Sequence, residues 1–382
     1  MGKQAARLAT ACLALAILGA GCQPQTTQTP ISPTAAPAVY RLGFSGPLTG
    51  PAGYYGAAAK EGAELAVEEI NRSGGVGGVP LEVIYEDDKN NTAEALTVLL
   101  KLAKTDKVPV VIGINSSSVT LATCKKAEEL QVVQYSIGSS AKIGPACSPF
   151  TFQLQGNDVE QGAELVKIAR SLQVQSAAVV YINNEYGVGT KASFAAEAQA
   201  AGLQILAEIP LMPAGNDYAM EVAHLQSLQP PLVALIAYGA EGSVFLRQTR
   251  AAGLTAQLIG DTNWGDALAW QLAGDSLTGL IGLQAGAHTS PAYQRFSDAF
   301  QARYGKPPSI WSDYYYDEVR LAAQAIQVGG YTGPGIRDAT RQICADWTGA
   351  SGPKLLDAEN YARWSFDWVK WTAEGQLVPV SK

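Results

Sequence analysis

From Tyr40 onward, short runs of β-branched and other apolar residues alternate with longer stretches of helical periodicity. In the first such stretch, Ala63, Val67 and Ile70 fall on one face of a helix, and Gly74-Gly75 ends it. The pattern predicts strands over residues 40–44, 81–85, 108–112 and 132–136, separated by helices over residues 56–71, 93–104 and 119–130.

The same alternation resumes after Asp158 and predicts strands over residues 177–182, 204–209, 232–238 and 257–259. Strands that alternate with helices are typical of parallel sheets covered by helices. Each of the two runs has about the length of one doubly wound domain, ~100–150 residues. The sequence therefore predicts an α/β protein built of two doubly wound parallel-sheet lobes. Ligands in this architecture bind beyond the carboxyl ends of the strands, beside helix N-termini, so two facing lobes form a cleft there.

The first 21 residues have the layout of a secretory signal peptide. Lys3 and Arg7 supply positive charge, and the apolar run over residues 8–18 is shorter than the roughly 20 residues that span a bilayer. The run ends in small residues before Cys22, which resembles the signal of bacterial lipoproteins, where the cysteine thiol receives a diacylglycerol. We expect a signal peptide over residues 1–21 and lipidation at Cys22. An ordinary cleaved signal with an incidental cysteine is the alternative.

Residues 22–38 are rich in Gln, Thr, Ser and Ala and contain Pro24, Pro30, Pro33 and Pro37. Such a composition favours an extended, solvated chain that buries no core. At ~3.1 Å per residue the segment reaches ~50 Å at most. We expect a lipidated tether that holds the folded part just outside the cytoplasmic membrane.

Composition argues against several classes of function. The chain has 382 residues, a net charge of −7 and no cluster of basic residues, which argues against a nucleic-acid partner. Its two histidines, His224 and His288, are far apart in the sequence, which argues against a histidine-rich metal site or a catalytic triad. We expect neither a metal nor a cofactor.

Three cysteines, Cys124, Cys147 and Cys344, follow the predicted signal segment. They are too few for a disulfide scaffold and lack the spacing of metal ligands. Thiols outside the cytoplasm tend to oxidise, and Cys147 lies just after the strand that follows the helix of Cys124. We therefore expect Cys124 and Cys147 to pair. Three buried, reduced cysteines are the alternative.

Many short motifs occur here in the order found in one family of binding proteins. They are residues 42–50 (LGFSGPLTG), Tyr55-Gly56, residues 62–66 (GAELA), Glu69-Ile70-Asn71, residues 74–78 (GGVGG), Val111-Ile112-Gly113 with Ser116-Ser117-Ser118, Asp158 ahead of Gln161-Gly162, residues 185–189 (EYGVG), Arg247-Gln248, residues 252–254 (AGL) and Tyr316-Asp317. Over Tyr40 to Pro379 the chain resembles the type I periplasmic binding proteins, and more closely the leucine/isoleucine/valine-binding family.

The resemblance implies two lobes joined by three crossovers, placed near Asn157, Ala285 and Ser351. The implied lobe boundaries are residues 39–157 plus 286–351 for lobe 1 and residues 158–285 plus 352–382 for lobe 2. The resemblance also implies that the lobes close on a small molecule and deliver it to the membrane permease of an ABC transporter.

By the same resemblance, the α-carboxylate of the ligand binds to hydroxyl and backbone N–H groups of lobe 1. Ser117 and Ser118 follow a predicted strand at a helix N-terminus, where unpaired N–H groups and a partial positive charge stabilise an anion. Gly138 matches a position that binds through its backbone, and Ser140 matches a threonine of the family. Helix capping is the alternative role of Ser117 and Ser140.

The resemblance also assigns the ammonium end of the ligand and the aromatic wall. Asp158 matches an acidic position of amino-acid binders and is expected to pair with an ammonium group; an N-cap of the next helix is the alternative. A second acidic position of the family falls here on Thr262, with Asp261 beside it. The tyrosines that match aromatic or hinge-side positions of the cleft are Tyr55, Tyr186, Tyr238 and Tyr316.

These observations predict an exported, lipid-anchored binding protein for a small polar ligand, foremost a branched-chain or other amino acid. Amides, urea-like compounds and small carboxylate or aromatic compounds, for transport or sensing, are the alternatives. Residues 187–192 fit a dinucleotide fingerprint with Glu208 downstream, but they do not directly follow a strand, as a nicotinamide site requires. No Gly-x-Ser-x-Gly elbow of a hydrolase occurs in the sequence. We therefore expect a binding protein rather than an enzyme.

The lipid anchor can be tested at its point of attachment. Cys22→Ser is expected to release the protein from membranes, because the diacylglycerol is attached through the thiol. Cell fractionation and the intact mass of the purified protein measure this. Cys12→Ser, inside the predicted signal peptide, should leave the protein membrane-bound. A Cys22→Ser protein that stays in the membrane pellet with the mass of the lipidated form would contradict the assignment.

Overall fold

Two separate β-sheets organise the part of the chain that the computed structural model describes, residues 37–147, 149–286, 288–363 and 366–382. The predicted signal peptide, Cys22 and nearly all of the predicted tether lie outside the described residues. The chain from Pro37 onward forms one compact unit. No helix within the described ranges has the length and the apolar run that crossing a membrane requires.

The strands are β1 (Tyr40–Gly46), β2 (Leu81–Asp87), β3 (Val110–Ile114), β4 (Val133–Ser136), β5 (Thr151–Gln153), β6 (Ser176–Ile182), β7 (Gln204–Leu211), β8 (Leu232–Ile236), β9 (Gln257–Gly260), β10 (Ile281–Ala285), β11 (Thr348–Gly349), β12 (Gly352–Pro353), β13 (Phe366–Trp371) and β14 (Leu377–Val380). A five-stranded sheet has the order β2-β1-β3-β4-β5, and a seven-stranded sheet has the order β14-β13-β10-β9-β8-β6-β7. Strands β11 and β12 form a separate small hairpin.

The helices are α1 (Gly53–Arg72), α2 (Thr92–Lys104), α3 (Ser117–Leu130), α4 (Ile143–Cys147), α5 (Asp158–Ser171), α6 (Glu185–Ala200), α7 (Ala219–Leu228), α8 (Gly239–Ala251), α9 (Ala267–Ala273), α10 (Pro291–Tyr304), α11 (Ser312–Gly329) and α12 (Gly333–Ile343). Most of them connect one strand to the next, as the alternating sequence pattern predicts. Below, lobe 1 denotes the five-stranded sheet with its helices and lobe 2 the seven-stranded sheet with its helices.

The central strands explain why the sequence pattern specified parallel sheets. Every residue of β3 and of β8 is buried, as expected for strands covered by helices on both faces. Strands β1 to β5 pair in parallel, and so do β6 to β10. At one end of the seven-stranded sheet, β13 pairs antiparallel with β10 and with the edge strand β14, and the sequence analysis predicted neither β13 nor β14. They form a hairpin with no helix between the strands, so the alternation of strands and helices that predicted the other strands gives no signal for these two.

The third crossover differs from the one that the resemblance implied. The segment over residues 352–362, assigned in advance to lobe 2, stays with lobe 1: Tyr361 pairs with Gln153 beside β5, and Leu356 packs on the lobe 1 core. The backbone N–H groups of Ala350 and Ser351 donate to the buried Asp317 carboxylate, each at 2.8 Å. This anchoring holds the chain on lobe 1, and it enters the other sheet only at β13.

A disulfide joins Cys124 in the middle of α3 to Cys147 at the end of α4, with the Cα atoms 5.2 Å apart. The two sulfurs pack with Ile143 in a small buried cluster of lobe 1. Among the described cysteines Cys344 is free and buried, and burial raises the pKa of its thiol to about 12. This pairing leaves one thiol in the described part of the chain.

Thiol counting tests the disulfide. The denatured, unreduced mature protein is expected to show one free thiol, that of Cys344. Cys124→Ser should lower the free energy of unfolding by about 3 kcal/mol, because the bond closes a loop of this length in the unfolded chain. Cys344→Ser, which leaves the bond intact, is the control for the loss of a thiol. Three titratable thiols in the unreduced protein would rule the bond out.

Candidate ligand-binding site

A small cavity lies between the two sheets. Its lining residues are Tyr55, Asn115, Ser117, Ile137, Ser139, Gln155, Tyr186, Tyr238, Thr262, Asn263 and Trp311. Most of them directly follow the carboxyl ends of β3, β4 and β5 in lobe 1 or of β6, β8 and β9 in lobe 2. This is the edge at which ligands bind in parallel α/β sheets.

Ser117 presents a hydroxyl to the cavity from the first turn of α3. Its Oγ accepts the backbone N–H groups of Ser139 at 3.1 Å and of Ser140 at 3.0 Å. The cap of α3 is Ser116, whose Oγ accepts the N–H of Val119, so Ser117 is not the cap. Because Ser117 accepts two hydrogen bonds from the protein, its hydroxyl hydrogen is left to donate into the cavity.

Ser139, rather than Ser140, lines the cavity on the loop after β4. Its hydroxyl donates to Asp158 Oδ1 across the lobe boundary, at 2.6 Å. Gly138 lies just behind it and donates its N–H to Ser136 Oγ, at 2.9 Å. A Cβ atom at Gly138 would come within 3.0 Å of the Ser117 backbone, so glycine is required for the loop to approach α3.

Aromatic rings form the lobe 2 wall. Tyr186 and Tyr238 stack with their ring centroids 5.4 Å apart, and Tyr55 of lobe 1 meets Tyr238 edge-on at 6.0 Å. The Tyr186 hydroxyl donates to Asp261 Oδ2 at 2.7 Å. Thr262 donates both its N–H and its hydroxyl to Gln161 Oε1. The wall therefore combines apolar ring faces with hydroxyl groups.

Two buried carboxyl groups stand directly behind these walls. Burial raises the pKa of Asp158 to about 7, against a hydrogen bond from Ser139 that lowers it. Burial also raises the pKa of Asp261 to about 7, against hydrogen bonds from Tyr186 and Asn263. The lining itself contains no charged side chain among the described residues. The carboxyl groups of the site thus lie one layer behind the surface that a ligand touches.

Gln155 supplies an acceptor that the protein leaves unused. Its Nε2 donates to the Ile137 carbonyl, while its buried Oε1 has no hydrogen-bond partner among the described residues. A buried acceptor without a partner is costly unless a ligand or water supplies the donor. Gln155 Oε1 therefore marks a place for an N–H or O–H group of the ligand.

Hydrogen bonds also join the two lobes around the cavity. The Tyr54 hydroxyl accepts the N–H of Ala240 at 3.2 Å, and the Tyr55 hydroxyl donates to Asn263 Oδ1 at 2.5 Å. Helix α8 has no side-chain cap of its own, so a phenol of lobe 1 pairs with one of its first N–H groups. At the rim, Lys142 and Glu185 form an ion pair at 2.8 Å.

The structure brings together half of the site residues expected from the sequence. Those that line the cavity are Tyr55, Ser117, Tyr186, Tyr238 and Thr262. Those that do not line it are Ser118, Gly138, Ser140, Asp158 and Tyr316. Of these, Gly138, Ser140 and Asp158 pack directly behind the lining, and Ser118 is half-buried on α3.

Tyr316 lies away from the cavity. Its hydroxyl donates to Glu69 Oε2 at 2.6 Å and accepts from Arg320 at 2.8 Å, so it joins α11 to α1. The expectation that it lines the cleft is not met, because helix α11 presents Tyr316 to α1. The cap of α5 is Asn157, whose Oδ1 accepts the N–H of Val159 at 3.0 Å. Asp158 is therefore not a helix cap and is free for another role.

Six lining residues were not expected from the sequence: Asn115, Ile137, Ser139, Gln155, Asn263 and Trp311. Asn115, Gln155 and Asn263 each stand one to three positions after a strand end, which is the signal that could have identified them. Trp311 follows no strand and enters the cavity from the start of α11. It adopts a left-handed conformation with φ 65°, which is rare for a bulky residue and has no marker in the sequence.

The raised pKa values predict how stability depends on pH. The folded chain holds protons on Asp158 and Asp261 that the unfolded chain releases between about pH 4 and pH 7. The free energy of unfolding therefore falls as the pH rises through this window, by up to ~1.4 kcal/mol per pH unit for each group. Asp88, Asp317 and Glu318, whose pKa values burial also raises, act in the same direction.

We expect the ligand-free protein to melt at a higher temperature at pH 5 than at pH 7.5. Asp158→Asn and Asp261→Asn should each reduce this difference, because an amide does not titrate. Asp275→Asn, on the exposed surface of lobe 2, should leave it unchanged. Melting curves across this pH range give the measurement, and an identical pH slope in all four proteins would contradict the assignment of buried, protonated carboxyls.

Comparison with known proteins agrees with this architecture. The family model described as periplasmic binding protein matches residues 39–371. The leucine-, isoleucine-, valine-, threonine- and alanine-binding protein of Pseudomonas aeruginosa is 28% identical over 297 residues, which cover 77% of this chain and 79% of that protein.

Solved structures show the same fold. The branched-chain amino acid transporter substrate binding protein of Streptococcus pneumoniae, in complex with isoleucine, superposes with a TM-score of 0.82 at 23% identity, over 90% of this chain and 100% of that one. A solute binding protein of an ABC transporter from R. palustris, in complex with benzoate, gives a TM-score of 0.82 at 21% identity, over 90% of this chain and 96% of that one.

The two-lobed α/β fold and the family resemblance inferred from the sequence motifs are confirmed. The match of the family model spans nearly all of the described chain, and the cavity lies between the two sheets, at their carboxyl edges. The chain belongs to the periplasmic binding protein family, as a type I member of its branched-chain amino acid group.

Proposed function

We propose that this protein is the extracytoplasmic solute-binding component of an ABC transporter and that it captures an amino acid between its two lobes. The observation that carries the proposal is the cavity between the sheets, where Ser117 offers a free hydroxyl hydrogen and Gln155 an unpaired acceptor. The relatives named for branched-chain and small amino acids support the choice of ligand class.

The lobe 1 wall suits the carboxylate of an amino acid. The Ser117 hydroxyl lies at the N-terminus of α3, a helix of 14 residues whose dipole favours an anion at this end. The N–H groups of Ser139 and Ser140, which now donate to Ser117 Oγ, sit on the loop directly opposite. A carboxylate that binds here would lose its hydrogen bonds to water and would gain a hydrogen bond from the Ser117 hydroxyl and the favourable potential of the α3 N-terminus.

The ammonium end requires acceptors and negative charge. Gln155 Oε1 supplies an unpaired acceptor, and the carboxyls of Asp158 and Asp261 lie one layer behind the lining. A ligand cation would favour the ionised form of these carboxyls, whose pKa values are about 7 in its absence. The site thus offers opposite polarity at its two ends, as a zwitterion requires.

Ligand capture would work by stabilising the closed arrangement of the lobes. The bonds from Tyr54 to Ala240, from Tyr55 to Asn263 and from Ser139 to Asp158 already cross between the lobes. A ligand that touches both walls adds contacts that only the closed state can make. Its binding free energy therefore shifts the population toward the closed form, which is the form that a permease would recognise.

An aromatic carboxylate is the second candidate ligand. Tyr55, Tyr186, Tyr238 and Trp311 surround the cavity with ring faces, and a structural neighbour was solved in complex with benzoate. Such a ligand would use the Ser117 end alone and leave Gln155 Oε1 without an ammonium donor. Amides and urea-like compounds have N–H donors, as an amino acid does, but they lack the carboxylate that would bind at Ser117.

The glycines of the dinucleotide-like run serve packing inside lobe 2. The Gly187 N–H donates to Asn184 Oδ1, which caps α6. A Cβ atom at Gly189 would clash with the Asp158 carboxylate, so this glycine lets α6 approach that group. These roles account for both residues without a bound pyrophosphate.

We also propose that the protein works outside the cytoplasmic membrane, anchored through a lipid on Cys22 and delivering its ligand to the membrane permease. The family is one of periplasmic proteins, so the chain is exported. The anchor itself rests on the sequence of the first 22 residues. A tether of the composition of residues 22–38 allows the folded part to reach a permease within the same membrane.

Ser117→Ala is the direct test of the carboxylate end. The substitution should weaken the binding of isoleucine by tenfold to a hundredfold, because a hydrogen bond to a charged group contributes ~1.5–3 kcal/mol. Isothermal titration calorimetry on ligand-free protein gives the affinity. Ser118→Ala, which removes the neighbouring hydroxyl outside the lining, is the matched control and should bind as the wild type does.

Equal affinities of the wild type and Ser117→Ala for isoleucine would reject this carboxylate site. Comparing leucine with 4-methylpentanoate, the same molecule without the amino group, decides between the two candidate classes. An amino-acid binder should lose at least tenfold in affinity with 4-methylpentanoate. Tight binding of benzoate together with no measurable binding of either amino acid would replace the first candidate with the second.

A further inference from the structure

A second small cavity adjoins the first. Thr262 and Trp311 line both cavities, so the two cavities are neighbours. The second cavity, called the distal cavity below, is lined further by Asp266, His288 and Asp313. In contrast to the first cavity, it therefore contains carboxylate groups in its own lining.

Asp313 carries an oxygen that the protein leaves unsatisfied. The residue is 3% exposed, and its Oδ2 has no hydrogen-bond partner among the described residues. His288 Nε2 lies 3.7 Å from that oxygen and pairs with it when the imidazole is protonated, and the buried Lys354 also interacts electrostatically with Asp313. A buried carboxylate oxygen in this state is costly, and a donor that entered the distal cavity would remove the cost.

The charges around the distal cavity do not balance. Asp266 and Asp313 contribute two carboxyls, and His288 contributes at most one positive charge. Burial by itself lowers the pKa of His288, but the Asp313 carboxylate outweighs this and raises it. Asp367 adds further negative potential at His288. No lysine or arginine belongs to the described lining, but the buried Lys354 adds positive potential at Asp313 and shares it with Asp317. Within the described lining, carboxyl groups therefore outnumber the one group that can carry a positive charge, which favours a cationic ligand group.

The partner of these groups is an organic cation rather than a metal ion. No group of three or more histidine, cysteine or acidic residues in the described ranges is placed to hold a metal. Asp266 Oδ1 already accepts the N–H of Leu268 as the cap of α9, at 2.9 Å. One unpaired carboxylate oxygen at Asp313 suits an ammonium or guanidinium group, which forms directional hydrogen bonds as well as a charge contact.

We propose that the distal cavity binds the cationic end of a ligand whose α-amino acid part occupies the first cavity. The protein then binds amino acids with an ammonium or guanidinium side chain more tightly than aliphatic ones of the same length. This inference rests on the proposed function, because it places the α-carboxylate at Ser117. The side chain passes the shared wall at Thr262 and Trp311 and ends at Asp313.

The strained backbone of Trp311 fits this role. A left-handed φ of 65° at a bulky residue costs free energy and persists where the surrounding structure requires it. The indole packs edge-on against Tyr314 at 5.3 Å, in the same turn that carries Asp313. Trp311 and Asp313 are therefore placed by one helix start, so that the wall of the first cavity and the acid of the distal cavity are positioned together.

Lysine and norleucine provide the test, because their side chains have the same four carbons and differ by the terminal ammonium group. Calorimetry on the ligand-free full chain should show lysine binding at least tenfold more tightly than norleucine. Asp313→Asn should lose at least tenfold in affinity for lysine and keep its affinity for norleucine. Asp275→Asn, an exposed acid of the same lobe as Asp266, is the control and should match the wild type for both ligands.

Melting temperatures establish that each variant is folded, and Asp266→Asn gives a second variant if Asp313→Asn is not. Wild-type protein that binds leucine but shows no preference for lysine over norleucine overturns the distal site and leaves the proposed function standing. Equal losses for lysine and norleucine in Asp313→Asn also overturn it, since they indicate a structural role. A wild type that binds no amino acid overturns the proposed function, and this inference with it.

Discussion

Closing two sheet edges against each other removes water from many polar groups at once, and the hydrogen bonds that replace that water organise the whole site. Ser139 donates to Asp158, Tyr55 donates to Asn263, and each bond joins one lobe to the other. Groups that find a partner across the cleft hold the lobes together. Groups that find none, such as Gln155 Oε1, define where a ligand has to supply one.

The same constraint explains why charge is kept out of the first cavity. Ionised side chains in its lining would be expensive to bury without a ligand, so serine, tyrosine and amide groups form the contact surface. The carboxyls of Asp158 and Asp261 lie behind them, and burial brings both pKa values near 7. At this pKa the empty site can remain neutral and still become negative when a cation arrives.

The two lobes divide the work of recognition. Lobe 1 contributes the positive end of α3 and the serine loops, which are suited to an anion, whereas lobe 2 contributes stacked tyrosines and the buried Asp261. Helix α8 lacks its own side-chain cap and pairs with Tyr54 of lobe 1 instead. Each lobe is therefore incomplete alone, and ligand and lobe closure satisfy the same set of groups.

The amino-acid sequence was enough to predict the parallel sheets and five of the eleven residues that line the cavity. Alternating buried strands and amphipathic helices are local patterns, so the parallel sheets could be predicted. The family resemblance pointed to Ser117, Tyr186 and Thr262, which follow strand ends, where ligands bind in such sheets. Packing in three dimensions was needed to show that Ser139 rather than Ser140 lines the cavity, and that Tyr316 packs on Glu69. These outcomes depend on which side of a loop or helix meets a distant partner, and no local pattern encodes that. Trp311 lines both cavities in a left-handed conformation at the start of α11, and no pattern in the order of residues marks this role.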